Sequence, residues 1–297
     1  VTLPERGPWP HPYYETESAT RIVSFRDTEG REWSVRVHEK RCGSGRPMVL
    51  VHGLMTSSYS WRYVLDGLGQ RYSLFVPDLV GAGATEKPTD LAYSVANVGR
   101  FIAAYVKSLG LSEAPYIVGN SLGGLHCAKA IFDAPGIARR FLLMHSPGYP
   151  MLKARLGLPL LALARRPVRF LLRRFPKLVV ANNVHYERKD MLSQEEVAEY
   201  AKLFESDAGC IAFTRILRES LDGREHARIL AAIRSRKPFP CPALCVFARK
   251  DAMVPPEFGP RWAEDLGAPL HWVDDASHFV HVDRPDKAIE EITGFDS

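Results

Sequence analysis

Tyr116-Ile117-Val118-Gly119-Asn120-Ser121-Leu122-Gly123-Gly124-Leu125 is the stretch that decides the fold. A short apolar run leads into a serine bracketed by glycines. A stretch with helical spacing follows, from Leu122 to Phe132. A serine in a sharp strand-to-helix turn is lifted above a sheet with its hydroxyl exposed. The flanking glycines suit a turn that leaves no room for side chains. The helix that follows points its first amides at the same place, which favours a developing negative charge.

Outward from this turn, the chain alternates strand-like and helix-like segments. Met48–Val51, Ser73–Val76, Phe141–Met144 and Ala243–Phe247 are further continuous apolar runs, as expected for strands buried on both faces of a parallel sheet. Arg21–Phe25 and Trp33–His38 alternate apolar and polar residues, which predicts an antiparallel pair at a sheet edge. Tyr59–Leu68, Val95–Leu109, Pro256–Leu266 and Pro285–Ile292 carry apolar residues three and four apart and predict helices. The expected class is therefore α/β with a mostly parallel sheet.

The alternation stops at Pro147 and resumes at Pro238. Residues 1–146 and 238–297 thus form the two parts of a core. Residues 147–237 read as an all-helical insertion: Leu158–Ala164, Val168–Phe175, Ser193–Phe204, Ile211–Leu217 and Ala227–Ile233. Ser193 followed by Glu196 predicts a capping box. One helix is basic: Arg165, Arg166, Arg169, Arg173 and Arg174 surround Val168, Leu171, Leu172 and Phe175, which share one face. Such a helix can lie on a membrane surface. The expectation preferred from sequence is a lid helix, its apolar face over a pocket and its arginines in water.

Four elements carry chemistry. Ser121 is the candidate nucleophile. His52-Gly53-Leu54, directly after an apolar run, is a candidate source of one backbone N–H for an oxyanion, from Leu54; the other comes from Leu122. His52 itself is expected to be structural. His278 follows the strand-like run Leu270–Val273 and is the candidate base, with His281 its nearest rival; His126 and His145 are expected to line the pocket or to be structural. Asp251, at the end of the run Ala243–Phe247, is the candidate acid that accepts the imidazole N–H. Asp274 and Asp275 are its rivals by proximity.

Composition narrows the classes. Of 297 residues, 46% are hydrophobic and 25% charged, the balance of an ordinary globular protein, and the net charge of +5 is modest. Neither zinc-finger spacing nor a basic segment with interleaved aromatics points to nucleic acid. Five scattered cysteines, with Cys241 and Cys245 off C-x-x-C spacing, fit a reduced, cytoplasmic-type protein. Val1–Glu17 is rich in Pro and aromatic residues and lacks a signal-peptide pattern. The start at Val1 rather than Met is compatible with removal of a preceding segment. No apolar run approaches the roughly 20 residues that span a bilayer.

With Ser121, Asp251 and His278 in that order, and Asp78-Leu79-Val80-Gly81-Ala82-Gly83 between, the chain resembles the α/β-hydrolase family over nearly its whole length. The resemblance implies an eight-stranded sheet with a helical cap over the active site. Thr56–Arg62 and Pro77–Gly83 are similar to the haloalkane dehalogenase and epoxide hydrolase branch. That branch uses an aspartate nucleophile where this chain has Ser121. Its halide-binding tryptophan and asparagine are Leu122 and Leu54 here, which argues against dehalogenation. Gly119–Gly124 is also similar to C–C bond hydrolases, although Phe279 stands where those carry a tryptophan. The expected function is a serine hydrolase cleaving a small or medium apolar carboxylic ester through an acyl-enzyme, with no metal or organic cofactor. C–C cleavage, lactonase or thioesterase activity would use the same residues. A low-turnover ligand receptor on the same fold is the alternative outside enzymes.

Overall fold

The computed structural model describes residues 3–150 and 165–297. Eight strands form one sheet: β1 (Glu17–Arg26), β2 (Glu32–Cys42), β3 (Arg46–Val51), β4 (Tyr72–Pro77), β5 (Tyr116–Asn120), β6 (Arg140–Met144), β7 (Ala243–Ala248) and β8 (Leu270–Val273). Their order is β1-β2-β4-β3-β5-β6-β7-β8. β1, β2 and β4 pair antiparallel, and every pair from β4 through β3 to β8 is parallel. The edge pair runs longer than its apolar alternation, because the β1–β2 register extends from Glu17 opposite Arg41 to Arg26 opposite Glu32. β5 lies in the middle, buried along its whole length, so the turn after it opens above the centre of the sheet.

Helices cover both faces. α1 (Leu65–Gly69), α2 (Val95–Ser108) and α3 (Leu122–Asp133) belong to the first part of the core. A single helix was expected over Tyr59–Leu68. The chain instead makes a 3-10 turn, Ser58–Trp61, capped by the Ser57 hydroxyl, before α1 begins. Bonds of i→i−3 type run on through Arg62 and Val64, and Gly67 and Gly69 weaken the remaining helix.

Between β6 and β7 lie only helices among the described residues: α4 (Arg165–Arg174), α5 (Pro176–Asn183), α6 (Gln194–Ala201), α7 (Asp207–Glu219) and α8 (Gly223–Ser235). The expected helix at 158–164 lies outside the described residues. α5 was not foreseen; Pro176 at its first turn, where a missing N–H costs nothing, starts it rather than interrupting α4. The capping box is only half made. The Ser193 hydroxyl accepts from the Glu196 N–H at 3.2 Å, but the Glu196 carboxylate turns into the interior to pair with Arg62 at 3.2 Å. After β7 come α9 (Phe258–Leu266), α10 (Val280–Asp283) and α11 (Pro285–Phe295). Among the described residues no helix is long and apolar enough to cross a membrane. The five cysteines are unpaired.

Candidate active site

The turn after β5 is strained. Ser121 has φ 55° and ψ −131°, a conformation costing a non-glycine residue on the order of 1–3 kcal/mol. Its surroundings hold it there. The Ser121 N–H donates to Met144 O at 2.8 Å, and its carbonyl accepts from the Gly124 N–H and the Ser146 hydroxyl. The glycines are sterically required. A Cβ on Gly123 would lie 2.3 Å from the His52 carbonyl oxygen, and one on Gly119 2.8 Å from the Gly124 Cα. Among the described residues only Met55, Ser121 and His145 combine a side chain with positive φ. All three follow the ends of β3, β5 and β6, which neighbour one another in the sheet.

The structure brings Ser121, His278 and Asp251 together. Asp251 Oδ2 lies 2.7 Å from His278 Nδ1, and His278 Nε2 lies 2.8 Å from Ser121 Oγ. A carboxylate only accepts, so Nδ1 carries the imidazole proton and Nε2 is left to accept from the serine hydroxyl. Asp251 Oδ1 is committed elsewhere, to the N–H groups of Met253 at 2.7 Å and Val254 at 2.9 Å. Burial alone would raise the pKa of Asp251. The His278 and His145 rings and their hydrogen bonds outweigh it and hold this carboxyl well below the usual carboxylate range. The loop bearing His278 is tied down by Asp283, which is fully buried and accepts from the N–H of Ser277 at 2.9 Å.

Gly53 sits directly against the nucleophile: a Cβ there would come within 2.7 Å of Ser121 Cβ. Leu122 opens α3, so its N–H is among those with no partner inside the helix. Beside them runs a narrow cleft lined by Leu54, Leu79, Val80 and Leu122 from the core and by Leu203, Phe213 and Ile216 from the insertion. His52 works as structure. Its Nε2 accepts from the Leu79 N–H at 2.9 Å, and its Nδ1 lies 2.8 Å from Gly53 O. Burial pushes its pKa down, which keeps the ring neutral for those two bonds.

The family profile described as "Alpha/beta hydrolase family" matches residues 48–292. The chain belongs to that family. It is 26% identical over 254 residues to an uncharacterized hydrolase, YugF, of Bacillus subtilis (strain 168), covering 84% of this chain and 89% of that one. It is likewise 26% identical over 289 residues to a soluble epoxide hydrolase of Corynebacterium sp. (strain C12), covering 88% and 93%. An alpha/beta hydrolase fold protein from Burkholderia ambifaria superimposes with a TM-score of 0.75 at 21% identity, over 93% of this chain and all of the other.

Within this hydrolase the other candidates fall elsewhere. His281 stacks on Trp61, with ring centroids 4.3 Å apart, and neither of its ring nitrogens is hydrogen-bonded to a described residue. His126 is structural and lines the cleft, as expected, with its Nε2 3.2 Å from the Ser220 hydroxyl. Asp274 pairs with Arg249 and Asp275 with Arg284, both carboxylates being well exposed. His145 is the exception, for its Nδ1 lies 3.2 Å from Asp251 Oδ2, so the acid faces two imidazoles. Strand order carries that signal. β6 lies between β5 and β7, so the residue after β6 must lie between the serine and the acid. The nitrogens of His145 and His278 and the Asp251 carboxylate lie within 4.8 Å of one another, a metal-like grouping. Hydrogen bonding around the shared carboxylate accounts for it.

Proposed function

We propose that the protein is a serine hydrolase that cleaves a carboxylic ester, or a related acyl compound, through an acyl-enzyme at Ser121. The observation that carries this reading is the unbroken hydrogen-bonded chain from Ser121 Oγ through His278 to Asp251. Ser121 Oγ attacks the carbonyl carbon while His278 Nε2 takes its proton. Asp251 keeps the imidazole in the required tautomer and stabilises the imidazolium. The carbonyl oxygen becomes an oxyanion that accepts from the backbone N–H groups of Leu54 and Leu122. Collapse breaks the C–O bond, and the alcohol leaves with the proton from His278. Water then attacks the acyl-enzyme, giving its proton to the same nitrogen, and releases the acid and Ser121.

The nucleophile separates this chain from epoxide hydrolysis, the activity named for its Corynebacterium relative. A serine that opened an epoxide would form an ether, which has no carbonyl for water to attack, so the enzyme would stop after one event. A carbonyl substrate leaves an ester that water can cleave. The apolar lining of the cleft beside Ser121, from Leu54, Leu79, Val80, Leu122, Leu203 and Phe213, favours an apolar acyl or alcohol group. Residues 147–237 act in this reading as a cap, contributing Leu203, Phe213 and Ile216 to the cleft.

Short aryl esters and a fluorophosphonate probe test the proposal. Wild type turns over the esters and is labelled, and Ser121→Ala does neither. No labelling of wild type, or equal labelling of Ser121→Ala, sinks it. Turnover of a vinylogous diketone with simple esters untouched would redirect it to C–C bond cleavage at the same serine.

A further inference from the structure

The basic helix does not present its apolar residues as one inward face. Leu172 is buried and Val168 partly so, and both pack into the interior together with Val180 of α5. Leu171 and Phe175, expected to cover a pocket, point to solvent instead. With Phe170 and Leu178 they make up four of the seven large apolar side chains left exposed among the described residues, at 51%, 44%, 66% and 60% respectively. All four fall within nine consecutive positions. The fold does not need them outside, because the inner side of the same helices already supplies the packing.

Charge around this apolar ridge is one-sided. From 134 to 186 the sequence contains ten Lys or Arg and no Asp or Glu, whereas the rest of the chain has 29 basic against 34 acidic residues. Arg166, Arg169, Arg173, Arg174 and Lys177 flank the ridge itself. Asp207 of α7, 3.3 Å from Arg173, is an acidic partner from the adjoining helix.

We infer that the outer face of α4 and the start of α5 docks on the surface of a bilayer containing anionic lipid. Phe and Leu side chains enter the acyl boundary while the surrounding guanidinium and ammonium groups meet lipid phosphates. Charge complementarity selects this occupant. A second copy of the chain would bring arginine against arginine across a two-fold contact. A nucleic acid would offer its phosphates to the cations but leave the apolar ridge wet. The helix that bears the ridge is also paired to α7, which supplies Phe213 and Ile216 to the cleft beside Ser121. The inference stands apart from the proposed hydrolysis, because docking needs no turnover.

The test is co-sedimentation with phosphatidylcholine vesicles, pure or doped with phosphatidylglycerol, at low and high salt. Wild type binds the doped vesicles and not the pure ones, and salt weakens the binding. Arg166→Glu/Arg174→Glu/Lys177→Glu lowers the partition coefficient at least tenfold, since each cation near an anionic surface contributes about fivefold. Phe170→Ser/Leu178→Ser also weakens binding and removes the part that survives salt. Both are compared at matched thermal melting curves. Phe170→Trp, a conservative probe, shifts its emission to the blue on doped vesicles. Failure of wild type to bind doped vesicles at low salt would overturn the inference. So would undiminished binding by both multiple variants, an unshifted Phe170→Trp emission, or a dimer that the apolar variant dissociates without change in vesicle binding.

Discussion

Replacing Asp251 by asparagine removes a charge while keeping the shape, and the hydrogen bonds determine which way the new amide must face. Asp251 Oδ1 accepts two backbone N–H groups, from Met253 and Val254. An asparagine keeps those bonds only with its carbonyl oxygen on that side. Its NH2 then replaces Oδ2 and points at His278 Nδ1, 2.7 Å from Oδ2 in wild type. A donor there forces Nδ1 to accept, so the proton moves to Nε2 and His278 can no longer take the proton of Ser121. The flipped amide restores the working tautomer but sets NH2 against two backbone donors, at about 1–3 kcal/mol for each lost bond. At the low end, about 2 kcal/mol, some 3% of molecules remain competent, a loss of about 30-fold. Complete trapping in the wrong tautomer costs about 10⁴-fold, roughly 5 kcal/mol in the barrier. Asp251→Asn is therefore expected to lose between those limits in kcat for an aryl ester and in the rate of fluorophosphonate labelling, with an unchanged circular dichroism spectrum. Activity within a factor of about three of wild type would refute the assigned hydrogen-bond directions.

Three further changes have expected outcomes. Gly53→Ala puts a Cβ 2.7 Å from Ser121 Cβ, so ester turnover should fall at least tenfold with a loss of about 1–3 kcal/mol in urea unfolding. Asp78, buried after β4, has its pKa lowered from 3.8 to about 2; burial opposes the shift but is outweighed by the hydrogen bond from His38, the nearby His52 ring and the N–H groups of Ser58 and Ala84. A depressed carboxylate stabilises above its unfolded pKa and loses that contribution as pH falls through the folded value, so Asp78→Asn should cost about 2 kcal/mol at pH 7 and progressively less below pH 4, read from paired unfolding curves. Arg62 and Glu196 form a buried ion pair, so Arg62→Met alone should destabilise by about 3–5 kcal/mol, whereas Arg62→Met/Glu196→Met should recover most of that; a double variant as unstable as the sum of the singles would contradict it.

What the sequence disclosed was local. Met48–Val51 and Tyr116–Val118 read as strands because both faces of each are covered, which leaves an unbroken apolar run. Ser121 was legible because its glycines have no alternative: each Cβ would strike backbone or a facing side chain. Asp251 and His278 could be named from chain order and from the ends of apolar runs, since residues just past parallel strands collect at one edge of the sheet. The same rule applied to β6 would have brought His145 to the acid, but it needs the strand order, and the pattern of apolar runs does not contain it. Glu196 failed for the opposite reason. Its spacing from Ser193 described a local bond, and a stronger partner, Arg62, arrived from 134 positions away.

The placement of the insertion shows why such partners escape a periodic reading. The first three N–H groups of α6 have no acceptor within the helix. Ser193 supplies one acceptor, to Glu196. The other two come from the opposite end of the chain: Pro4 O accepts from the Gln194 N–H at 2.9 Å and Glu5 O from the Glu195 N–H at 3.1 Å. Farther along the same arm, His11 meets the Glu195 carboxylate at 2.9 Å, where the Tyr59 hydroxyl also donates at 2.6 Å. Trp9 packs edge-on against Tyr63, and the Arg188 guanidinium lies over its ring. The proline- and aromatic-rich arm thus acts as a strap between core and insertion, although it precedes the residues matched by the family. A strap of bends and turns bonding through main-chain carbonyls has no side-chain period to detect. Only the three-dimensional structure tells such a segment from a loose terminus, and through it α6 and the helices that follow are set against the cleft beside Ser121.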